Sequence, residues 1–145
     1  MKKISIIISI LSVVLLSSCD VKTSGFDKFY GMWHMTEIDS LSTGKSYYLG
    51  DDRYFWMFEA NLMELRNYDT KAEMLLMRYN HVGDTLIVSE PYFFDRLNDD
   101  RPLDDISYLK PYGIHQLTDT FIIRQLSGSK MTVESRKVRI GFKKY

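Results

Sequence analysis

The 145-residue sequence contains one cysteine, Cys19, so no disulfide can form within the chain and no metal site can rest on paired thiolates. Proline is scarce too: Pro91, Pro102 and Pro111 all fall in one stretch, leaving the rest of the chain free of residues that interrupt strand ladders. Neither sign of charge is in excess, with 19 Lys and Arg against 19 Asp and Glu, so there is no basic face for nucleic acid. The three histidines, His34, His81 and His115, lack the spacing of a transition-metal ligand set, and His34 and His81 read as solvated. No Gly-x-Ser-x-Gly elbow accompanies the many serines. The acids Asp95, Asp99, Asp100, Asp104 and Asp105 lack calcium-loop spacing and are interleaved with Arg96 and Arg101, which reads as a solvated loop. Neither enzymatic activity nor a metal or cofactor is expected.

Long apolar runs are absent except at residues 4–16, and that run of thirteen is short of the ~20 needed to cross a bilayer. It follows Met1-Lys2-Lys3 and ends in Leu16-Ser17-Ser18-Cys19-Asp20, the basic, apolar and small-residue order of an export signal. The tetrapeptide ending in Cys19 resembles the lipobox of bacterial lipoproteins. That resemblance implies cleavage after residue 18 and a lipidated Cys19, with palmitate among its acyl chains. At ~0.8 kcal/mol per buried methylene, two or three acyl chains make the anchor effectively permanent. The expected organisation is a signal peptide at 1–18, a polar lipidated tether at 19–28 and one domain at 29–145. Loss of Lys2 and Lys3 leaves 17 basic against 19 acidic residues. The expected location is the bacterial cell envelope, with the choice of inner or outer membrane open.

From residue 29 onward, apolar-alternating segments rich in aromatic and β-branched residues are separated by turn chemistry such as Ser42-Thr43-Gly44, Gly50-Asp51-Asp52 and Ser127-Gly128-Ser129. Eight strands are expected, at 29–38, 54–60, 62–67, 73–80, 85–90, 120–126, 130–134 and 137–143. Eight antiparallel strands can close into a barrel and so remove their edges. Val138, Ile140 and Phe142 share one face of the last strand, with Lys137, Arg139 and Lys143 on the other. Tyr54-Phe55-Trp56-Met57-Phe58 breaks the alternation, and its outer side needs a cover. The proline-bearing stretch 91–111 is the expected cover, with a short helix or helical turn at 103–109 started by Pro102 and the acids behind it.

The first strand carries Phe29-Tyr30-Gly31-Met32-Trp33, which resembles the Gly-x-Trp of lipocalins. The resemblance implies an all-β, eight-stranded, up-and-down antiparallel barrel whose Trp33 plugs the closed end, with Gly31 letting neighbouring backbone approach closely. It also implies a basic residue of the last strand packed over that tryptophan, and Arg139 is the best match, although strand alternation places it on the opposite face. The lipocalin Thr-Asp-Tyr motif is absent. With Tyr112-Gly113-Ile114 and the closing Phe142-Lys143-Lys144, the whole chain is similar to small lipocalin-like lipoproteins of gut anaerobes.

Met35, Trp56, Phe58, Leu75, Met77, Tyr79 and Ile140 are the candidate barrel lining. They suit either a cavity for a small apolar or amphipathic ligand or a barrel filled by its own side chains. Two functions follow. One is ligand binding near the membrane. The other is docking of an envelope protein on the aromatic run 54–58 or on 91–111, which requires an exposed apolar patch.

Overall fold

A computed structural model describes residues 28–145. The export signal, Cys19 and the tether up to residue 27 lie outside the described residues. Ten strands run in chain order: β1 (Gly31–Ser40), β2 (Ser46–Tyr48), β3 (Tyr54–Glu59), β4 (Leu62–Asn67), β5 (Leu75–Val82), β6 (Thr85–Phe93), β7 (Arg101–Pro102), β8 (Asp119–Leu126), β9 (Lys130–Glu134) and β10 (Val138–Lys144).

Eight of them form the closed antiparallel barrel read from the sequence. Their order is β10-β9-β8-β6-β5-β4-β3-β1, and β10 pairs back onto β1 from Trp33↔Lys144 to Ser40↔Val138. The other two are short and fully exposed. β2 extends the β3 edge of β1 at Glu37–Asp39, and β7 pairs with the end of β6. With every full-length strand partnered on both sides, the barrel wall offers no long open edge.

Period-two alternation selects the inner face. On β4, Met63 and Leu65 are fully buried and sit in register with Met77 and Leu75 of β5. On β10, Val138, Ile140 and Phe142 face the same core while Arg139 and Lys143 face water. One-residue irregularities interrupt this at Thr36 in β1, at Arg124 in β8 and opposite Met77, where Glu90 adopts φ 51°. Such bulges bend and twist strands strongly enough to close a small barrel.

The stretch 91–111 behaves differently from the expectation. It does not cover the outer side of β3. That side is covered by His34, Tyr68 and Tyr145, whose rings lie 5.0, 5.5 and 5.3 Å from Phe55, leaving Phe55 buried. His34 is therefore half-buried rather than free in solvent, and its Nε2–H donates to the Asp52 carbonyl at 2.7 Å. His81 remains exposed, but its ring packs edge-on against Phe29 at 4.9 Å.

The stretch after Pro102 instead turns across the end of the barrel where β3 and β5 begin. Pro102 is itself in strand, paired with Tyr92, and the helical part starts later. Asp105 caps a 3-10 turn at Ile106–Tyr108 by accepting from the Ser107 amide at 2.8 Å, and a second turn follows at Lys110–Tyr112. Leu103, Leu109, Tyr112 and Ile114 drop into the core from this segment. Gly113 makes the descent possible. Its φ of +76° favours glycine, and a Cβ there would lie 2.4 Å from Ile140 Cδ1.

On the outer wall, Glu134 of β9 ties three neighbouring strands. It accepts from Arg124 of β8 at 2.8 Å and from Arg139 of β10 at 2.8 Å. These bonds hold the Glu134 carboxyl below the usual carboxylate range, the Arg124 bond first. A carboxyl depressed in the folded state stabilises the fold above its ordinary pKa, and the contribution disappears as pH falls through the depressed value. Glu134→Gln is expected to melt below the wild type at pH 7, with the difference closing as the pH is lowered past the ordinary carboxylate range. Thermal unfolding of both proteins across a pH series checks this.

Candidate functional site

The candidate lining residues converge, and they occupy the interior. Met35, Trp56, Phe58, Leu75, Met77 and Ile140 belong to one buried cluster, each no more than 2 % exposed. Trp56 decides the matter at mid-barrel. Its ring lies 5.4 Å from Phe121 of β8, which stands four strands from β3 in either direction round the barrel, and 4.9 Å from Phe142 of β10. A ring that touches the diametrically opposite wall leaves no lumen at that level. Eight strands enclose a space that side chains can just fill, and large aromatics fill it here. Tyr79 sits further along, half-buried against Phe58 at 4.9 Å, with its hydroxyl donating outward to the Ala60 carbonyl at 2.8 Å.

Both ends are also built shut. At one end, Phe29 lies under the barrel against Phe58 at 5.1 Å, and its carbonyl accepts from the buried Trp33 Nε1–H at 2.7 Å. Lys144 of β10 closes over the same tryptophan, its Nζ 4.5 Å from the ring centroid and hydrogen-bonded to the Tyr30 carbonyl. Burial pushes the Lys144 amine below its usual value.

The basic residue over the tryptophan is thus Lys144 and not Arg139, which faces outward and is spent on Glu134. Parity explains the difference, because 144 shares the inward phase of 138, 140 and 142 whereas 139 does not. Gly31 serves the same contact: at φ +105°, a Cβ would lie 3.2 Å from Lys144 Cε. The close approach it admits is that of a side chain.

At the other end, the Tyr112 carbonyl accepts from Trp56 Nε1–H at 3.2 Å, fixing the 3-10 segment to the barrel centre. Where this cap meets the β4–β5 loop, a cleft of about 590 Å³ opens to solvent. Its base is formed by Tyr54, Asn67, Leu75 and Tyr112, its rim by residues 70–73 of the loop and by Ser107, Tyr108 and Pro111 of the cap. Tyr54 and Tyr112 meet edge to face at 5.5 Å. Burial, followed by the neighbouring Tyr54, pushes the Tyr112 phenol up to about 12, so it stays a neutral donor at any ordinary pH.

The volume lies within the ~300–1,000 Å³ typical of small-molecule sites, and apolar walls with a few convergent polar groups are their usual make-up. Of these residues, only Leu75 was among the candidate barrel lining read from the sequence, while Tyr54 and Ser107, Tyr108 and Pro111 fall in the two stretches expected to dock a partner. Tyr112 was quoted there as part of a motif, but the cleft joins loops far apart in the chain and has no local pattern to betray it.

A second concavity of about 630 Å³ lies on the outer wall between Arg78, Glu90, Tyr92 and Leu117. Its Arg78 and Glu90 pair with each other at 3.1 Å, which leaves little unmet polarity there. Among the described residues, no three His, Asp or Glu side chains converge as metal ligands. The aromatic run 54–58 shows no open patch, since Phe55, Trp56 and Phe58 are buried and Tyr54 and Met57 are half-buried.

Residues 14–145 match the family model described as a lipocalin-like domain. The chain belongs to this lipocalin-like family. Among solved structures, it is similar to a lipocalin-like protein from Bacteroides uniformis ATCC 8492, with a TM-score of 0.61 and 18 % identity over 81 % of this chain and 99 % of that one. It is similar also to an uncharacterized protein from Bacteroides eggerthii DSM 20697, with a TM-score of 0.58 and 18 % identity over the same shares. At that identity, both likenesses speak for the fold. No curated protein matches the chain.

The closed end of this lipocalin-like barrel gives a direct test of Lys144. Lys144→Met is expected to lower stability by about 0.5–2 kcal/mol through loss of the cation–ring contact. It should also shift the Trp33 indole N–H resonance, whereas Arg139→Met should leave that resonance in place. Urea unfolding and a two-dimensional N–H spectrum of each variant provide the check.

Proposed function

We propose that this lipocalin-like chain is a lipid-anchored binding protein of the bacterial envelope, holding a small apolar or amphipathic molecule in the cleft at the capped end and not inside the barrel. The observation that carries this reading is the contrast between the two places. The interior is occupied at the level of Trp56, while the cleft beside the cap is open, of ligand size and walled by tyrosines. A rigid filled barrel is a sound support for such a site, because it fixes Tyr54 and Leu75 on strands and Tyr112 through its backbone bond to Trp56. The residues described around the cleft, with their apolar walls and a few polar groups, support binding as its activity.

Anchoring through Cys19 would confine the domain near the membrane surface, since an extended tether of ~10 residues reaches at most about 33 Å. That placement suits a ligand that partitions between membrane and water. Cys19→Ser in the native host is expected to move the protein from the membrane fraction to the soluble fraction and to abolish incorporation of labelled palmitate. Retention in the membrane with no label would overturn the anchor.

For the cleft, the full-length protein purified from its host in mild detergent is expected to carry a discrete extra mass in native mass spectrometry that is lost on denaturation. Ala72→Trp, which places a large ring on the exposed rim, is expected to remove that mass without altering the melting temperature by more than a few degrees. An extra mass that survives Ala72→Trp, or none in the wild type, would count against the site.

A further inference from the structure

The polar groups of the cleft are unevenly satisfied, and the imbalance selects among ligands. Asn67 is only 8 % exposed. Its Oδ1 accepts from the Asp69 amide at 2.8 Å, but its Nδ2 donates to no atom of the described residues. The Tyr112 hydroxyl, on a residue 4 % exposed, is equally without a protein partner, as is that of Tyr54. These donors reach solvent through the cleft, since among the described residues Glu64 Oε1 alone is a fully buried side-chain N or O atom without a partner, and a ligand that displaces their water keeps them satisfied only by supplying an acceptor.

The rim is asymmetric in charge. Glu73 is held by Arg101 at 2.9 Å, whereas Lys71 has no carboxylate within salt-bridge distance among the described residues. Tyr54 and Leu75 at the base and Tyr108 at the rim supply the apolar faces of the cleft. The site therefore has a cation at its mouth, an apolar wall and neutral hydrogen-bond donors at its base.

We propose that the cleft takes a monoanionic amphiphile, with the acid at Lys71, a flat apolar body against the tyrosines and a hydroxyl or carbonyl oxygen at Asn67 Nδ2 and the Tyr112 hydroxyl. This rests on the reading of the cleft as the binding site. It excludes cationic amphiphiles and simple hydrocarbons, which would leave Lys71 unpaired and take water from the donors at the base without replacing its hydrogen bonds.

The probes are a fluorescent hydroxynaphthoic acid bearing its hydroxyl and carboxylate at opposite ends, the naphthoic acid without the hydroxyl, and the methyl ester of the hydroxy acid. Each is titrated against the full-length protein in mild detergent after removal of any bound molecule. The hydroxy acid is expected to bind about tenfold more tightly than either analogue, since each analogue loses one partnered group. Lys71→Gln should erase the preference for acid over ester. Tyr112→Phe, which keeps the ring, should reduce the preference for the hydroxylated acid.

Equal binding of all three probes, abolished by Ala72→Trp, would overturn the monoanionic class and leave the cleft as the site. Preferences that survive Lys71→Gln and Tyr112→Phe would do the same. Binding unaffected by Ala72→Trp, or none by any probe at millimolar concentration, would overturn the cleft reading and the ligand class together.

Discussion

Trp56 spans the barrel, and most of the structure depends on that span. Standing on β3, it meets Phe121 on the far side and Phe142 of β10 two strands away, and donates its indole N–H to the carbonyl of Tyr112 in the cap. One side chain thus sets the filled interior, holds opposite walls at a fixed distance and locks the loop that covers one end. An eight-stranded wall is at the size limit where side chains alone can occupy the lumen, so a single large ring decides whether it is cavity or core.

Closure of the two ends follows from that filling. Below Trp56, Trp33 and Phe29 close one end, joined by the bond from the indole N–H to the Phe29 carbonyl, with Lys144 over the indole and Gly31 leaving the room that this lysine requires. Above it, Gly113 lets the cap descend onto Ile140 so that Leu109, Tyr112 and Ile114 complete the core. With the interior spent on stability, concavity is displaced outward to where the cap fails to meet the β4–β5 loop. The polar atoms left unmatched there are ones the core could not use, and they face solvent and any molecule that enters the cleft.

Most barrel strands were legible because they have one wet face, whose alternation is a strong signal in a half-buried strand, whereas β3 was legible from its run of bulky aromatic residues. Strands β2 and β7 escaped because they are two or three residues long and fully exposed, with no buried face to leave a pattern. The aromatic run at 54–58 was correctly read as apolar on both faces, but its cover came from His34, Tyr68 and Tyr145 rather than from the proline stretch. Those three lie near Phe55 only once the sheet has curled, which no local pattern records.

The sequence by itself determined much of the wall: the number of barrel strands and their inner and outer faces follow from the two-residue period and the turn residues between segments, while closure into an up-and-down barrel was implied by the resemblance that Gly31 and Trp33 carry. Parity even contained the assignment of Lys144, since the inward phase of β10 runs through it. Tertiary structure decided what the wall encloses. Whether Trp56 lines a lumen or bridges it depends on the barrel's width, and whether Tyr112 is a loop residue or a cap depends on where a flexible connection lands. Both are set by contacts between residues more than fifty positions apart, whose pairing no window of the sequence specifies.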